Sequence, residues 1–394
     1  MISKKNGIAE CGYCLLGMML LLNGCNRVGM EVETQDRSVF LGSLPHLFIQ
    51  HNEPYISWIV QEDSMDWWLV QNLNTSEIDT IDGRLDWFVN WADFPKVFSG
   101  QNGMLALGLR YTSSGKYSYT IDYYTKTNDQ KGWISHGSLP DDSTFTEHGF
   151  ASAIAYHSGW LVVWLDGRNG EKGGFTGLRS AEVLTDGKVL KQQWVDTSVC
   201  DCCQTAIDVI GGIPQVVYRN RTKEEIRDIY TAKYNHGTWS EPEQIYEDNW
   251  TIAGCPVNGP QIVGYTDKGV VGWFTASHDK PQVKFSFTGG SIMEARILDS
   301  LTPLGRVRMS MIDDDGFAIA WMGNSENRTN LNLHLFDWDG VERKAWSIPQ
   351  LSPSRVSGFP ALSYLDQNIY LAWTSPGEKI DTVQLIRLPV YGIN

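Results

Sequence analysis

The chain has 394 residues, 42% of them hydrophobic, and a formal net charge of -14 at pH 7. With that charge and no basic stripe to neutralise phosphates, nucleic acid is excluded as a partner. The 16 Trp, 16 Tyr and 38 Gly describe a β-rich, turn-rich protein with aromatic packing.

The N-terminus reads as an export signal. Lys4 and Lys5 form a positive n-region, and Cys11 to Leu22 an apolar h-region too short to span a bilayer. Leu22-Asn23-Gly24-Cys25 resembles a bacterial lipobox, in which the cysteine is cleaved on its amino side and acylated. Residues 1–24 are therefore expected to be a signal peptide, Cys25 the lipidation site, and 25–40 a tether and closing strand. Asn26 is not the aspartate that retains lipoproteins in the inner membrane, so the expected location is the outer membrane, facing the periplasm or the surface. Cleavage removes Cys11 and Cys14 and lipid occupies Cys25, leaving Cys200, Cys202, Cys203 and Cys255.

A short apolar run ending in an aromatic recurs along the rest of the chain, at Trp58, Trp164, Tyr218, Trp273, Trp321 and Trp373; a seventh copy ends at Gly108. The spacing is about fifty residues, and each run follows another strand-like segment with a turn between. Seven such pairs, each followed by one or two further strands, predict an all-β propeller of four-stranded antiparallel blades over residues 41–394, with six blades as the alternative. The unit after Phe359 has room for only three strands. Glu31 to Leu41 is expected to supply the fourth, closing the ring and hiding its edges.

Strands A to D of a blade run outward from the axis, so the D-to-A and B-to-C connections open on one face. Unusual chemistry collects there: Glu147, His148, Asp166, Arg168, the four cysteines, Arg219, Arg221, Arg227, Asp228, Asn258, His278, Arg306, Arg308 and Arg355. Several cations on one face of an acidic protein point to an anionic ligand such as a carboxylate-bearing glycan. Asp166 with Arg168 also reads as a turn closed by its own salt bridge, and Arg227 with Asp228 as a pair between blades. Arg306 and Arg308 alternate on a strand, one toward the axis and one into the blade.

Cys203 and Cys255 lie about one repeat apart, which puts their loops on neighbouring blades. In an oxidising compartment a disulfide is the first expectation, and one joining these loops stabilises by on the order of 4 kcal/mol in chain-entropy models. Four thiolates holding Zn or Cu(I), helped by His148 or His278, and free thiols are the alternatives; no cofactor is otherwise required.

The motifs EHGFAS, VVWLDGR, VCDCCQT, VVYRNRTKEEIRDI, AGCPVNGP, GWFTA, PLGR and SGFP resemble those of a family of exported bacterial sialidase-like propellers, labelled exo-α-sialidase and of BNR type. The fragment KYNHGTWSEP resembles a degenerate Asp-box without its serine and aspartate, which as a plain turn is a hairpin with a packed indole. The resemblance implies a glycoside hydrolase in which Arg219, Arg227 and Arg306 grip a carboxylate and Asp166 or Glu147 donates a proton. Substrate contacts would then come from Arg168, Arg221, Asp228, Asn258, His278, Arg308 and Arg355. The chain departs from the sialidase pattern at Ser43-Leu44-Pro45, where the first arginine is missing, and before the last A strand, where no tyrosine stands; Tyr364 lies inside that strand. A non-catalytic glycan- or protein-binding propeller and a metal-handling propeller are the other readings.

Overall fold

The structure, a computed structural model, describes residues 30–31, 36–113, 115, 117–170, 173–288, 294–325 and 328–390. The export signal and Cys25 lie outside the described residues. Seven antiparallel sheets form a seven-bladed propeller. The innermost strands, A, are Ser43–Gln50, Lys96–Gly100, His148–Tyr156, Ala206–Ile210, Gln261–Tyr265, Pro303–Ile312 and Ala361–Leu365. The B strands that follow carry the recurring aromatics, and both sets match the predicted pairs.

Ring closure is as expected, with one refinement. Arg37–Leu41 pairs antiparallel with Thr382–Pro389 as the outer strand of blade 7, and Arg37 adds two bonds to Gln384 Oε1. Met30–Glu31 lies instead on blade 6, parallel to Trp346 and Ser347. The N-terminal segment thus crosses two blades.

At Trp58, Tyr218, Trp273 and Trp321 the recurring aromatic staples neighbouring blades, whereas the Trp164 indole donates to Asp166 at the end of its own strand. Tyr218 donates to Asp196, Trp273 to Asp248 and Trp321 to Asp299, each acid coming from the outer end of the preceding blade. At Trp58 the carbonyl of Leu41, on the closing strand, takes the acid's place. An indole or phenol can fill an apolar layer while its N–H or O–H finds a buried acceptor. Gly108 is the exception for a steric reason: a Cβ there would collide with the Trp87 ring, which arrives from the preceding connection and is 4% exposed.

The Gly-Thr-Trp fragment is a hairpin. His236 and Gly237, both at positive φ, link the pair Asn235 and Thr238, and the Trp239 indole donates to Ser180 of blade 3. Positive φ is the geometry that a two-residue hairpin requires. The plain turn accounts for these residues fully.

Three A strands begin with a bulge in which a bulky residue takes the left-handed region: Leu44, Phe150 and Arg306. Bulges re-aim side chains at the rims of sheets. At Arg306 the bulge interrupts the simple alternation with Arg308. Arg308 faces an axial cavity of about 190 Å³ lined by all seven A strands or their starts, while Arg306 reaches toward the segment Ser352 to Gly358 of blade 7.

Candidate functional site at the axial mouth

The D-to-A and B-to-C connections interlock on one face. Gly167 N–H donates to Glu147 O, Cys200 N–H to Arg219 O, and Arg227 N–H to Trp250 O. All the predicted site residues lie on or beside this face, but they fall into separate groups with different chemistry.

Two of the three arginines expected to grip a carboxylate are struts. Arg219, 1% exposed, donates to the carbonyls of Arg227, Asn258 and Phe274 and lies over the Trp250 ring. Arg306, 6% exposed, donates to Ser357 Oγ and to the carbonyls of Gly358, Pro353 and Ser354. Burial, then the charge of Arg355, pulls Arg306 down to about 10. Arg227 is committed elsewhere, to Glu225, Asp201 and the Cys200 sulfur. Arg221 pairs with Glu225 and Asp201. Asn258 accepts from Arg306 N–H and donates to the Leu304 carbonyl, and Asp228 caps the next connection through Asn249, Trp250 and Gln244. Asp228 therefore ties down the connection that leaves its own blade and does not pair with Arg227 across blades. Tyr364, whose hydroxyl donates to Asp313 on the A-to-B turn, reaches the opposite face.

Asp166 and Glu147, the two expected proton donors, are opposites. Asp166 is fully buried; it accepts from the Trp164 indole and from Arg168 Nε and Nη2, with Arg179 and His148 close by. Arg168 also pairs with Asp141, and His148 with Asp142. The turn reading of Asp166–Arg168 thus describes the geometry. Glu147 is half-buried and shows no side-chain hydrogen bond among the described residues. Burial first, then the charges of Asp201 and Asp93, push it up to about 7. A carboxyl poised there can give a proton at neutral pH.

The cysteines converge as free thiols. Cys200 Sγ lies 3.4 Å from Cys203 Sγ and 3.8 Å from Cys202 Sγ, and Arg227 Nη1 is 3.2 Å from it. Hydrogen bonds from Cys202 and Cys203 lead the causes that hold Cys200 well below the ordinary thiol range, while burial pushes Cys203 up to about 12. The loops do meet across blades 4 and 5, but Cys255 approaches Cys202 and Asp201, not Cys203. No histidine joins either cysteine group among the described residues: His148 sits with Asp142 and Asp166, and His278 is on an exposed turn bonded to Ser277.

Sequence reasoning missed the aromatic side of the mouth. Trp91 is half-buried and stacks on Phe359, with ring centroids 6.0 Å apart; Arg306 and Arg355 lie against it. Arg355 is exposed and has no carboxylate partner among the described residues. Asp93 accepts from Phe150 N–H, and Lys96 donates to the Ala151 carbonyl beside the axial cavity. Burial pushes Asp93 up and Lys96 down, each partly restored by the other. Inside the cavity burial pulls Arg308 down to about 9, and burial with the charges of Lys96 and Arg308 pushes His46 down to about 3. The signal for Trp91 and Asp93 was the repeated Phe-Pro at Phe94-Pro95 and Phe359-Pro360, which aligns the loop before blade 2 with the one before blade 7.

No family model matches the chain, and no curated protein matches it. Solved structures do. An ulvan lyase, a polysaccharide lyase bound to a GlcA(1-4)Rha3S unit, is 13% identical with a TM-score of 0.54, over 92% of this chain and 96% of its own. A Penicillium chrysogenum α-L-arabinanase complexed with arabinobiose is 9% identical with a TM-score of 0.51, over 91% of this chain and 99% of its own. A Pyrococcus horikoshii acylaminoacyl peptidase is 12% identical with a TM-score of 0.50, over 91% of this chain but 53% of its own. At such identities the likeness is one of fold. The propeller architecture is thus shared with glycan-active proteins and with a peptidase.

Proposed function

We propose that this protein is a lipid-anchored propeller of the bacterial outer membrane that binds an anionic, carboxylate-bearing glycan at the axial mouth and cleaves it with Glu147 as proton donor. The observation that carries this reading is Glu147 itself, a half-buried carboxyl raised to about 7 with no hydrogen-bond partner among the described residues. Asp201, electrostatically coupled to Glu147, is held by Arg221 and Arg227 and so differs from it in environment, as paired catalytic carboxyls do. Arg355 beside the Trp91 face offers a guanidinium and a stacking surface for an acidic sugar. The motif resemblance to sialidase-like proteins and the glycan ligands of the ulvan lyase and arabinanase support the same class.

The carbonyl-saturated Arg219 and Arg306 favour a second reading, a non-catalytic binder of the same glycans. The two separate in one experiment. Residues 26–394 are assayed for hydrolysis of sialosides and uronic-acid oligosaccharides, in wild type and Glu147→Gln. Turnover lost in the variant supports the enzyme; tight binding without turnover in the wild type supports the binder. The anchor is checked by incorporation of labelled palmitate, expected in wild type and absent in Cys25→Ser.

A further inference from the structure

We propose that Cys200, Cys202 and Cys203 form a binding site for one thiophilic closed-shell cation, Zn(II) or Cu(I), with Cys255 as its fourth ligand. The proposal does not rest on the glycan reading. It starts from spacing. The ligand atoms of Cys200, Cys202 and Cys203 all lie within 4.8 Å of one another, two of the separations being 3.4 and 3.8 Å. Thiolates bound to zinc at about 2.3 Å stand about 3.8 Å apart at the corners of a tetrahedron. The three sulfurs therefore already sit close to the separation a shared cation imposes.

The surroundings fit a charged sulfur cluster. Arg227 is 2% exposed and aims Nη1 at Cys200 Sγ, although Glu225 and Asp201 are its other partners. A guanidinium directed at sulfur is well matched by a thiolate and poorly by a neutral disulfide sulfur, which would leave Nη1 with only its longer contact of 3.4 Å to Asp201 Oδ1. Thiolates around a singly or doubly charged cation carry net negative charge, and Arg227 offsets part of it.

The backbone fixes the inner ligands and leaves an open side. Cys200 is 0% and Cys203 2% exposed, and the Cys200 N–H donates to Arg219 O at the end of a B strand. Cys202 is half-buried and Cys255 exposed, with the sulfur of each and a carboxylate oxygen of Asp201 within 4.8 Å of one another. The Cys255 loop is anchored before the cysteine by Ile252 N–H to Glu225 O and after it by Gly259 N–H to Gln204 Oε1. An all-sulfur set selects Zn(II) or Cu(I) over hard cations. With Cys255 accessible, the site can load and exchange its cation at the surface, unlike a closed structural zinc site.

The test uses residues 26–394, exported to the periplasm and purified without reductant or chelator. Intact mass is recorded under native and denaturing conditions, with alkylation of free thiols before and after chelation; cation-free reduced protein is then titrated with Zn(II) and, anaerobically against a competing chelator, with Cu(I). One cation per chain is expected, with the inner thiols protected from alkylation until it is removed. Cys202→Ser and Cys203→Ser are expected to abolish binding at micromolar cation, and Cys255→Ser to weaken it. Should these variants fail to fold, X-ray absorption of the loaded wild type decides, an all-sulfur shell supporting the site and an oxygen or nitrogen shell overturning it. Retention of either cation supports the proposal and identifies the metal. A mass low by two hydrogens per thiol pair with no cation, or reduced protein that binds neither cation, overturns it.

Discussion

Asp166 and Glu147 lie at the adjoining ends of the paired A and B strands of blade 3, where Gly167 N–H donates to the Glu147 carbonyl, yet their carboxyls are treated in opposite ways. Trp164 and Arg168 donate to Asp166, while the Glu147 carboxyl receives no hydrogen bond among the described residues. The same division separates Arg219 and Arg306, whose donors end on carbonyls, from Arg355, whose guanidinium lies over the Trp91 ring with no carboxylate partner among the described residues. A charged residue on a site face is thus a strut when the fold supplies its partners and a candidate ligand group when it does not. Residue type and loop position are shared by both classes.

Glu147 is where the two kinds of charged residue part most widely. Glu147→Gln is expected to lower turnover by about 10²–10⁴-fold while leaving melting temperature at pH 7 unchanged or raised; an equal loss in stability would make Glu147 a strut. Its titration carries a sign. Folded Glu147 is raised from 4.5 to about 7, so the folded state holds the proton more tightly; its contribution to stability falls as pH rises through that window and is level above it. Proton donation by Glu147 is expected to fade above about pH 7, and a pH–rate profile checks it.

Asp166→Asn should do the reverse, destabilising by about 3 kcal/mol because it leaves Arg168 and Arg179 short of a buried partner; thermal or urea unfolding measures it. Gly108→Ala tests the packing rule, with an expected loss of about 1–3 kcal/mol from overpacking against Trp87. Arg355→Ala is the mildest for the fold, with unchanged melting temperature and affinity for an acidic glycan reduced about tenfold, read by calorimetric titration.

The fold was legible in the sequence because a blade is a repeated packing unit. The aromatics at Tyr218, Trp273 and Trp321 recur because each must reach an acid on the neighbouring blade, and the short last unit announced its closing strand. Even the missing aromatic at Gly108 followed the period; only Trp87, filling the space from another connection, was hidden. The site was legible as a face and not as a set of contacts. Where the donors of Arg219 and Arg306 end depends on carbonyls contributed by residues as distant in sequence as Phe274 and Gly358, and no local pattern marks those. The bulge at Arg306 likewise re-aims a side chain that strand alternation alone would misplace. The cysteine loops were correctly brought together by the repeat, but the register that sets Cys255 against Cys202 belongs to the loops themselves.

Calorimetric titration of residues 26–394 with acidic oligosaccharides, sialylated or uronic, and with neutral oligosaccharides of the same length, at low and high salt, decides whether the axial mouth is an acidic-glycan site. Binding of an acidic ligand only is expected, weakened by salt, reduced in Arg355→Ala and Trp91→Ala and retained in Glu147→Gln. Equal binding of neutral glycans, or affinity indifferent to Arg355 and Trp91, would contradict that assignment.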